Sequence, residues 1–352
     1  MTGNWMVIAA TGVLCGMGIF WGSRHLPGER WQFFASVPLR KRDDDSWEAV
    51  NITWYGVLLS GAAVFAVALY LIMLCGAGVH ASAGVSLMVL LLAVCVPASS
   101  AVARIVERKP ATLTIGGAAF VGSLVAPFAI LALNRFGEAA TGMHIPMSQG
   151  LAACAVAFLF GEGMGRMSCL SYGCCYGKPV EAYHGLIGRI FSKTAVIFQG
   201  RTKKISYASE LEGRRVVPIQ SLTMLVSSLA GIATLSLYAW GHFTAAYLGA
   251  TASAGLWRIA SEFFRNDYRG EGKVSAYQVM SGVSVLYAAV VACFLPEARF
   301  FGPVDLAGGV AALWDPGLFL FLAAVWLVLV TFTGISDTTF SRIRFHLHRS
   351  KI

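Results

Sequence analysis

Charge is what this chain has least of. Asp, Glu, Lys and Arg together make up 13% of its 352 residues, about half the share found in soluble domains. With 57% hydrophobic residues and a mean hydropathy of +0.66, an ordinary soluble fold is excluded. The apolar runs are continuous and do not alternate, which excludes an outer-membrane barrel. Backbone groups in lipid find no water, so the spans must be helices. There is no soluble basic domain, so the formal net charge of +9 does not point to nucleic acid. It suits anionic lipid headgroups or the Lys and Arg that set topology. Nor is there a secreted disulfide framework: most of the eight cysteines lie inside apolar runs, where Cys acts as a small hydrophobe. No Lys or Arg precedes the first apolar run, residues 5–21, and no clear small-x-small cleavage site follows it. An uncleaved first helix is therefore expected rather than a signal peptide. No solenoid-type repeat is visible.

What is present is a series of apolar runs at about 54–77, 84–104, 115–133, 149–171, 218–240, 243–264, 275–295 and 316–334. Each is about 20 residues, enough to cross a core about 30 Å thick. With the first run they make nine helices. Small residues such as Gly116-Gly117-Ala118-Ala119 and Gly122-Ser123 allow close helix approach. Residues 23–50 are polar, and Arg40-Lys41-Arg42 runs straight into Asp43-Asp44-Asp45, which reads as a solvated loop whose charges cancel. Residues 178–216 form the longest polar segment, a small extramembrane head, partly β. The tail 341–352 is basic and reads as a positive-inside anchor.

The chemistry concentrates in residues 161–179, at the end of the run 149–171. Glu162 with Arg166, and Arg258 with Glu262, form two i,i+4 pairs, each able to lie on one helix face. They either neutralise each other for insertion or share a polar cavity. Two Arg converging on a cavity would suit a phosphate, because guanidinium binds phosphate bidentately and stays charged. Arg104 is a candidate third member. Tyr55, after Trp54, starts a span and reads as an interfacial aromatic. Cys169, Cys174 and Cys175 lie close to Arg166, which could lower a thiol pKa and create a nucleophile. Their C-x4-C-C spacing matches no common structural zinc pattern, and no His lies close enough in sequence to complete one. No metal and no cofactor are expected. Packing thiols or a disulfide are the alternatives, with packing favoured.

Together the motifs resemble the prolipoprotein diacylglyceryl transferase family. Residues 165–179, GRMSCLSYGCCYGKP, resemble a Cys-rich version of its signature, which includes Gly177. Trp54-Tyr55-Gly56 resembles its first-span W-Y-G. Residues 116–125, GGAAFVGSLV, resemble its G-G-x-x-F-H-G-G-L-I, with Val121 standing where the family has His. Pro218-Ile219-Gln220 resembles its P-x-Q element, residues 258–265, RIASEFFR, its R-x-x-x-E-F-x-R, and Gln278 with Ser281 its Q-x-x-S. The resemblance covers about residues 50–295. It implies an all-α polytopic membrane protein: a seven-helix core at 50–295 with the head at 178–216, an extra N-terminal helix and polar loop at 1–49, and an extra C-terminal helix and basic tail at 296–352.

The resemblance also implies a donor, phosphatidylglycerol, whose diacylglyceryl group passes to a lipobox Cys thiol with release of glycerol phosphate. Arg166 and Arg258 would bind the headgroup phosphate, Glu262 would orient Arg258, and Tyr55 would contact lipid or the leaving oxygen. Glu162, Arg104, Cys169, Gly177 and Gln220 complete the expected substrate-binding set, and Cys174 and Cys175 are candidate catalytic thiols. Cys169 and Cys174 fall where the family keeps Asn and Glu. His184 resembles the missing histidine superficially but lies in the polar segment. The phosphate-binding half is thus retained while the half that activates the acceptor is not. The expected function is a bacterial inner-membrane transferase, its site facing the periplasmic side. It would use an anionic phospholipid and pass a group to a glycan or lipid. An authentic prolipoprotein diacylglyceryl transferase and a non-catalytic phospholipid-binding protein are the alternatives.

Overall fold

A computed structural model of the protein describes residues 2–42, 47–108, 114–141, 144–267, 274–295 and 304–341. The chain begins with α1 (Thr2–His25). A hairpin follows, β1 (Phe33–Lys41) and β2 (Trp47–Thr53), and leads into α2 (Trp54–Gly76), α3 (Ala81–Glu107), α4 (Ile115–Thr141) and α5 (Met147–Tyr172). The head holds α6 (Gly185–Thr194), β3 (Val196–Ile197), α7 (Lys204–Ser209) and β4 (Arg215–Val216). Then come α8 (Ile219–Ala239), α9 (Phe243–Glu262), α10 (Ala276–Cys293), α11 (Leu306–Ala312), α12 (Pro316–Gly334) and β5 (Ile335–Ser341).

Eight of these helices are long and apolar enough to cross a membrane: α1 to α5, α8, α10 and α12. The ninth long helix expected from sequence, α9, forms over 20 residues. It carries Arg258 and Glu262 among small and hydroxylated residues, and it lies packed against α5, α8 and α10. Protein rather than lipid surrounds its polar side, which is why its composition falls short of a free-standing span.

Helix α5 is the hub. It packs against α1, α2, α4, α8 and α9, and its buried face runs from Ser148 to Ser171. Small residues permit this. A Cβ on Gly163 would lie 3.0 Å from the Ser227 Cβ of α8, and one on Gly161 would lie 3.0 Å from the Ala66 Cβ of α2. Such contacts bring backbones close where no hydrophobic effect separates helix from lipid. The added terminal helices pack onto this core: α1 against α8 and α5, α11 and α12 against α2.

Strands form within the polar stretch 23–50, expected to be a solvated loop. β1 and β2 pair antiparallel, and β2 pairs antiparallel with β5, which follows the last helix. Asn51 is buried at the centre: its Oδ1 accepts from Ser36 Oγ at 2.7 Å and its amide donates to the Ser336 carbonyl at 3.3 Å. The partner strand lies almost at the other end of the chain, so local polarity concealed it. Asp43–Asp45 and the basic tail beyond residue 341 lie outside the described residues.

Aromatic residues mark both ends of the bundle. Trp21, Trp31, Trp54 and Phe34 form a row with ring centroids 4.9–5.0 Å apart, and Trp5 meets Trp240 at 6.4 Å at the far end. Such girdles belong at membrane–water interfaces. The first girdle, the sheet and the head share one end. By chain connectivity, every described Lys and Arg except Arg135 lies at or near that end.

Candidate functional site

The two i,i+4 pairs meet. Glu162 Oε1 accepts from Arg166 Nη2 at 2.8 Å on α5 and from Arg258 Nη1 of α9 at 3.3 Å. Arg258 Nε lies 3.5 Å from Glu262 Oε1, which is also 4.0 Å from Arg265 Nη1. Arg265 closes the chain with a two-pronged contact to Asp267, both arms 2.9 Å. Three guanidinium groups and three carboxylates thus alternate through the interior. The side chains of Glu162, Arg166, Arg258, Glu262 and Arg265 are each at most 9% exposed. A buried charge is tolerable when paired, and the alternation satisfies that along the whole row.

Neighbours shape the row. Gly116 at the start of α4 faces Arg258: a Cβ there would lie 2.8 Å from Arg258 Nη2 and 2.9 Å from Tyr277. The Arg258 guanidinium lies over the Tyr277 ring at 5.5 Å, a favourable cation–π contact. Gln278 holds the α9 backbone by donating to the Ile259 carbonyl at 3.1 Å. Arg166 Nε is buried and has no hydrogen-bond partner among the described residues.

The signature stretch is fixed against this row by main chain. Gly173 ends α5 in the left-handed region, φ 73°, and its N–H returns to the Cys169 carbonyl at 2.8 Å. Beyond it, residues 176–178 run between two extended segments. Asn266 N–H donates to the Tyr176 carbonyl, Lys178 N–H to the Phe264 carbonyl, and Val217 N–H to the Lys178 carbonyl, at 2.9–3.1 Å. A Cβ on Gly177 would lie 2.4 Å from the Val217 carbonyl oxygen, so only glycine allows that approach. Gln220 is fully buried and donates to the Cys174 carbonyl at 2.8 Å.

This turn brings the three cysteines together. The sulfur atoms of Cys169, Cys174 and Cys175 all lie within 4.8 Å of one another, with Cys169 and Cys175 at 3.8 Å. The C-x4-C-C spacing is compatible with packing thiols, a disulfide or reactive thiols; the convergence of the three depends on the left-handed turns at Gly173 and Cys175, φ 57°, which the spacing does not show. Tyr55 stands beside the cluster, its ring 5.6 Å from Tyr172, and lies within electrostatic range of all three sulfurs.

The structure therefore gathers Glu162, Arg166, Arg258 and Glu262 in one row and Tyr55, Cys169, Cys174, Cys175, Gly177 and Gln220 in the adjoining turn. Arg104 is exposed in the last turn of α3, a helix that packs on α4 and α2. His184 is exposed at the start of α6 and lines a groove in the head with Arg189, Lys193 and Arg215. That groove shares no residue with the ionic row. Arg265, which closes the R-x-x-x-E-F-x-R stretch but is absent from the expected site set, is a further member of the row.

Searches of curated proteins and of solved structures find no match. The family model for prolipoprotein diacylglyceryl transferase matches residues 46–294, which include the whole ionic row and the cysteine turn. The chain belongs to the prolipoprotein diacylglyceryl transferase family, membrane transferases that act on lipid and lipoprotein substrates.

Proposed function

We propose that this protein transfers a diacylglyceryl or phosphoglycerol-type group from an anionic phospholipid, phosphatidylglycerol, to a glycan or lipid acceptor. The observation that carries the reading is Arg166: its Nη2 is held by Glu162 while its Nε is buried with no acceptor among the described residues. A phosphate oxygen satisfies such a donor, and guanidinium suits phosphate better than ammonium does. Arg258, oriented between Glu162 and Glu262, supplies the second contact. Fixed donors aimed where negative charge gathers on a leaving phosphate stabilise the transition state without reorganisation. The basic character of the same end draws anionic headgroups toward the site. Following the family, that end faces outward from the inner membrane.

Full-length protein in vesicles containing headgroup-labelled phosphatidylglycerol tests the reading. Loss of label from phosphatidylglycerol in the presence of a membrane and cell-wall extract is expected, as free glycerol phosphate for diacylglyceryl transfer or on the acceptor for phosphoglycerol transfer, falling about 100-fold in Arg166→Lys. Wild-type release by Arg166→Lys, with the variant folded, would overturn it.

The family match itself favours a second reading, transfer to a lipobox cysteine. Val121 on α4 argues against it, because a valine takes no proton. Complementation of a strain lacking the family enzyme decides between the two acceptors.

A further inference from the structure

Three thiols converge in the turn beside the ionic row, close to Arg166 and Arg265. We propose that Cys169, Cys174 and Cys175 form a three-thiolate site for a divalent cation, zinc foremost, whose fourth position receives the acceptor. The acceptor half of this proposal rests on the transferase reading above; the metal half does not.

Geometry supports it first. Zinc bound tetrahedrally by thiolates at about 2.3 Å places its sulfurs about 3.8 Å apart. Cys169 and Cys175 show that separation, 3.8 Å, and Cys174 lies within 4.8 Å of both. Three protein ligands with one open position is the pattern of catalytic zinc rather than structural zinc.

The backbone supports it second. Cys175 occupies the left-handed region at φ 57°, unusual for a residue with a Cβ. Strain of that kind persists where surrounding structure imposes it, and it clusters at functional sites. Here the turn aims Cys175 back at Cys169. The buried Gln220 amide fixes the intervening Cys174 carbonyl. Inert packing thiols need none of this.

Charge supports it third. Three thiolates on a dication leave one negative charge in a buried place. Arg166, one helical turn before Cys169, lies within electrostatic range of Cys169 and Cys175, and Arg265 within range of Cys175. These two guanidinium groups lie near that charge, each also paired with a carboxylate of the row.

The chemistry balances without any redox partner. Loading the cation releases three thiol protons to solvent. An acceptor hydroxyl or thiol then binds at the fourth position and loses its proton to water, since a dication sharply lowers the pKa of what it coordinates. Its oxygen or sulfur attacks the glyceryl carbon of the donor. The new bond forms as the carbon–oxygen bond to phosphate breaks, and the electron pair leaves with glycerol phosphate, held by Arg166 and Arg258.

The test uses the full chain in detergent with cobalt(II) alone as the probe. About one cobalt per chain is expected, with the strong thiolate-to-cobalt charge-transfer absorption, competed away by zinc. Cys174→Ser should weaken binding at least tenfold and the triple serine variant should abolish the absorption. Cys154→Ser, in the apolar part of α5, serves as the cysteine control and should leave it unchanged. Equal cobalt uptake by wild type and the triple variant, or a wild type that binds none with its thiols reduced, overturns the site. So does a Cys169–Cys175 disulfide that reforms in preference to metal binding. Arg166→Lys should keep cobalt while losing glycerol phosphate release. Loss of release with cobalt retained therefore speaks to the headgroup reading, and loss of cobalt with headgroup binding retained speaks to the metal site.

Discussion

Glu162 and Arg258 are separated by 96 residues in the chain and meet at 3.3 Å in the interior, on α5 and α9. That contact joins two local ion pairs into one row and makes Glu162 the shared anion of two guanidinium groups. Replacing one member of a buried ion pair leaves an uncompensated charge, at a cost of about 3–5 kcal/mol. Glu162→Gln keeps the volume and removes the charge. It should lower stability by about 3 kcal/mol, read as a lower midpoint of thermal unfolding in detergent. An unchanged midpoint would mean that the row carries little of the α5–α9 contact.

Gly116 sets where Arg258 lies. In Gly116→Ala the new methyl would lie 2.8 Å from Arg258 Nη2 and 2.9 Å from a ring carbon of the buried Tyr277. The guanidinium end can shift but the buried ring has little room, so overpacking should cost about 1–3 kcal/mol, offset in part by alanine's helix preference of about 1 kcal/mol over glycine. The unfolding midpoint should fall modestly while glycerol phosphate release drops at least about tenfold, the cost of moving a positioned guanidinium by a fraction of an ångström. Equal release would remove Arg258 from the site.

The helix contact between α2 and α12 is asymmetric. A Cβ on Gly56 would lie 2.1 Å from the Gly334 Cα, whereas a Cβ on Gly334 would lie 3.4 Å from the Gly56 Cα. Gly56→Ala should force α12 away and cost about 1–3 kcal/mol, as overpacking does. Gly334→Ala should cost well under half of that. Side-by-side unfolding of the two variants checks the difference.

Lys203 in the head gives a pH signature. It is fully buried, donating from Nζ to the Ser171 carbonyl at 2.5 Å and the Leu26 carbonyl at 3.2 Å. Burial pulls its pKa down to about 8, below the ordinary lysine value of about 10.4. Below about pH 8 both folded and unfolded chains carry the proton, and the folded state bears the full burial penalty. Between about pH 8 and pH 10 the unfolded chain binds more protons than the folded one, so stability rises with pH. Hydrogen exchange of residues 196–216 should slow over this window in wild type relative to Lys203→Met. Parallel profiles would show that Lys203 stays solvated.

Two tendencies compete over orientation. The family implies that the site end faces outward, while Lys and Arg usually mark the cytoplasmic side, and they crowd the site end here. An epitope inserted after Gly213, in an exposed turn of the head, should be reached by antibody in intact spheroplasts. Protection until lysis would place the site inside and change the class of acceptor available to it.

The sequence by itself determined the membrane class, because continuous apolar runs of helical length have no other stable home. It also determined the two ion pairs, because i,i+4 spacing needs no tertiary information. Resemblance of short motifs at Tyr55, Arg166, Gln220 and Arg258 pointed to the family before any fold was in hand. Tertiary structure decided the rest. β2 finds β5 only after α12 has crossed back, so residues 23–50 read locally as a charged loop. Arg265 joins the row because the end of α9 lies against residues 176–178, a contact between distant segments. The cysteines meet because two residues in the left-handed region reverse the chain, and one of them is Cys175, a residue type that does not announce such a turn. Periodicity reports which face of a helix is apolar, but which faces meet is fixed by packing of the whole bundle, and that is where Glu162 found Arg258.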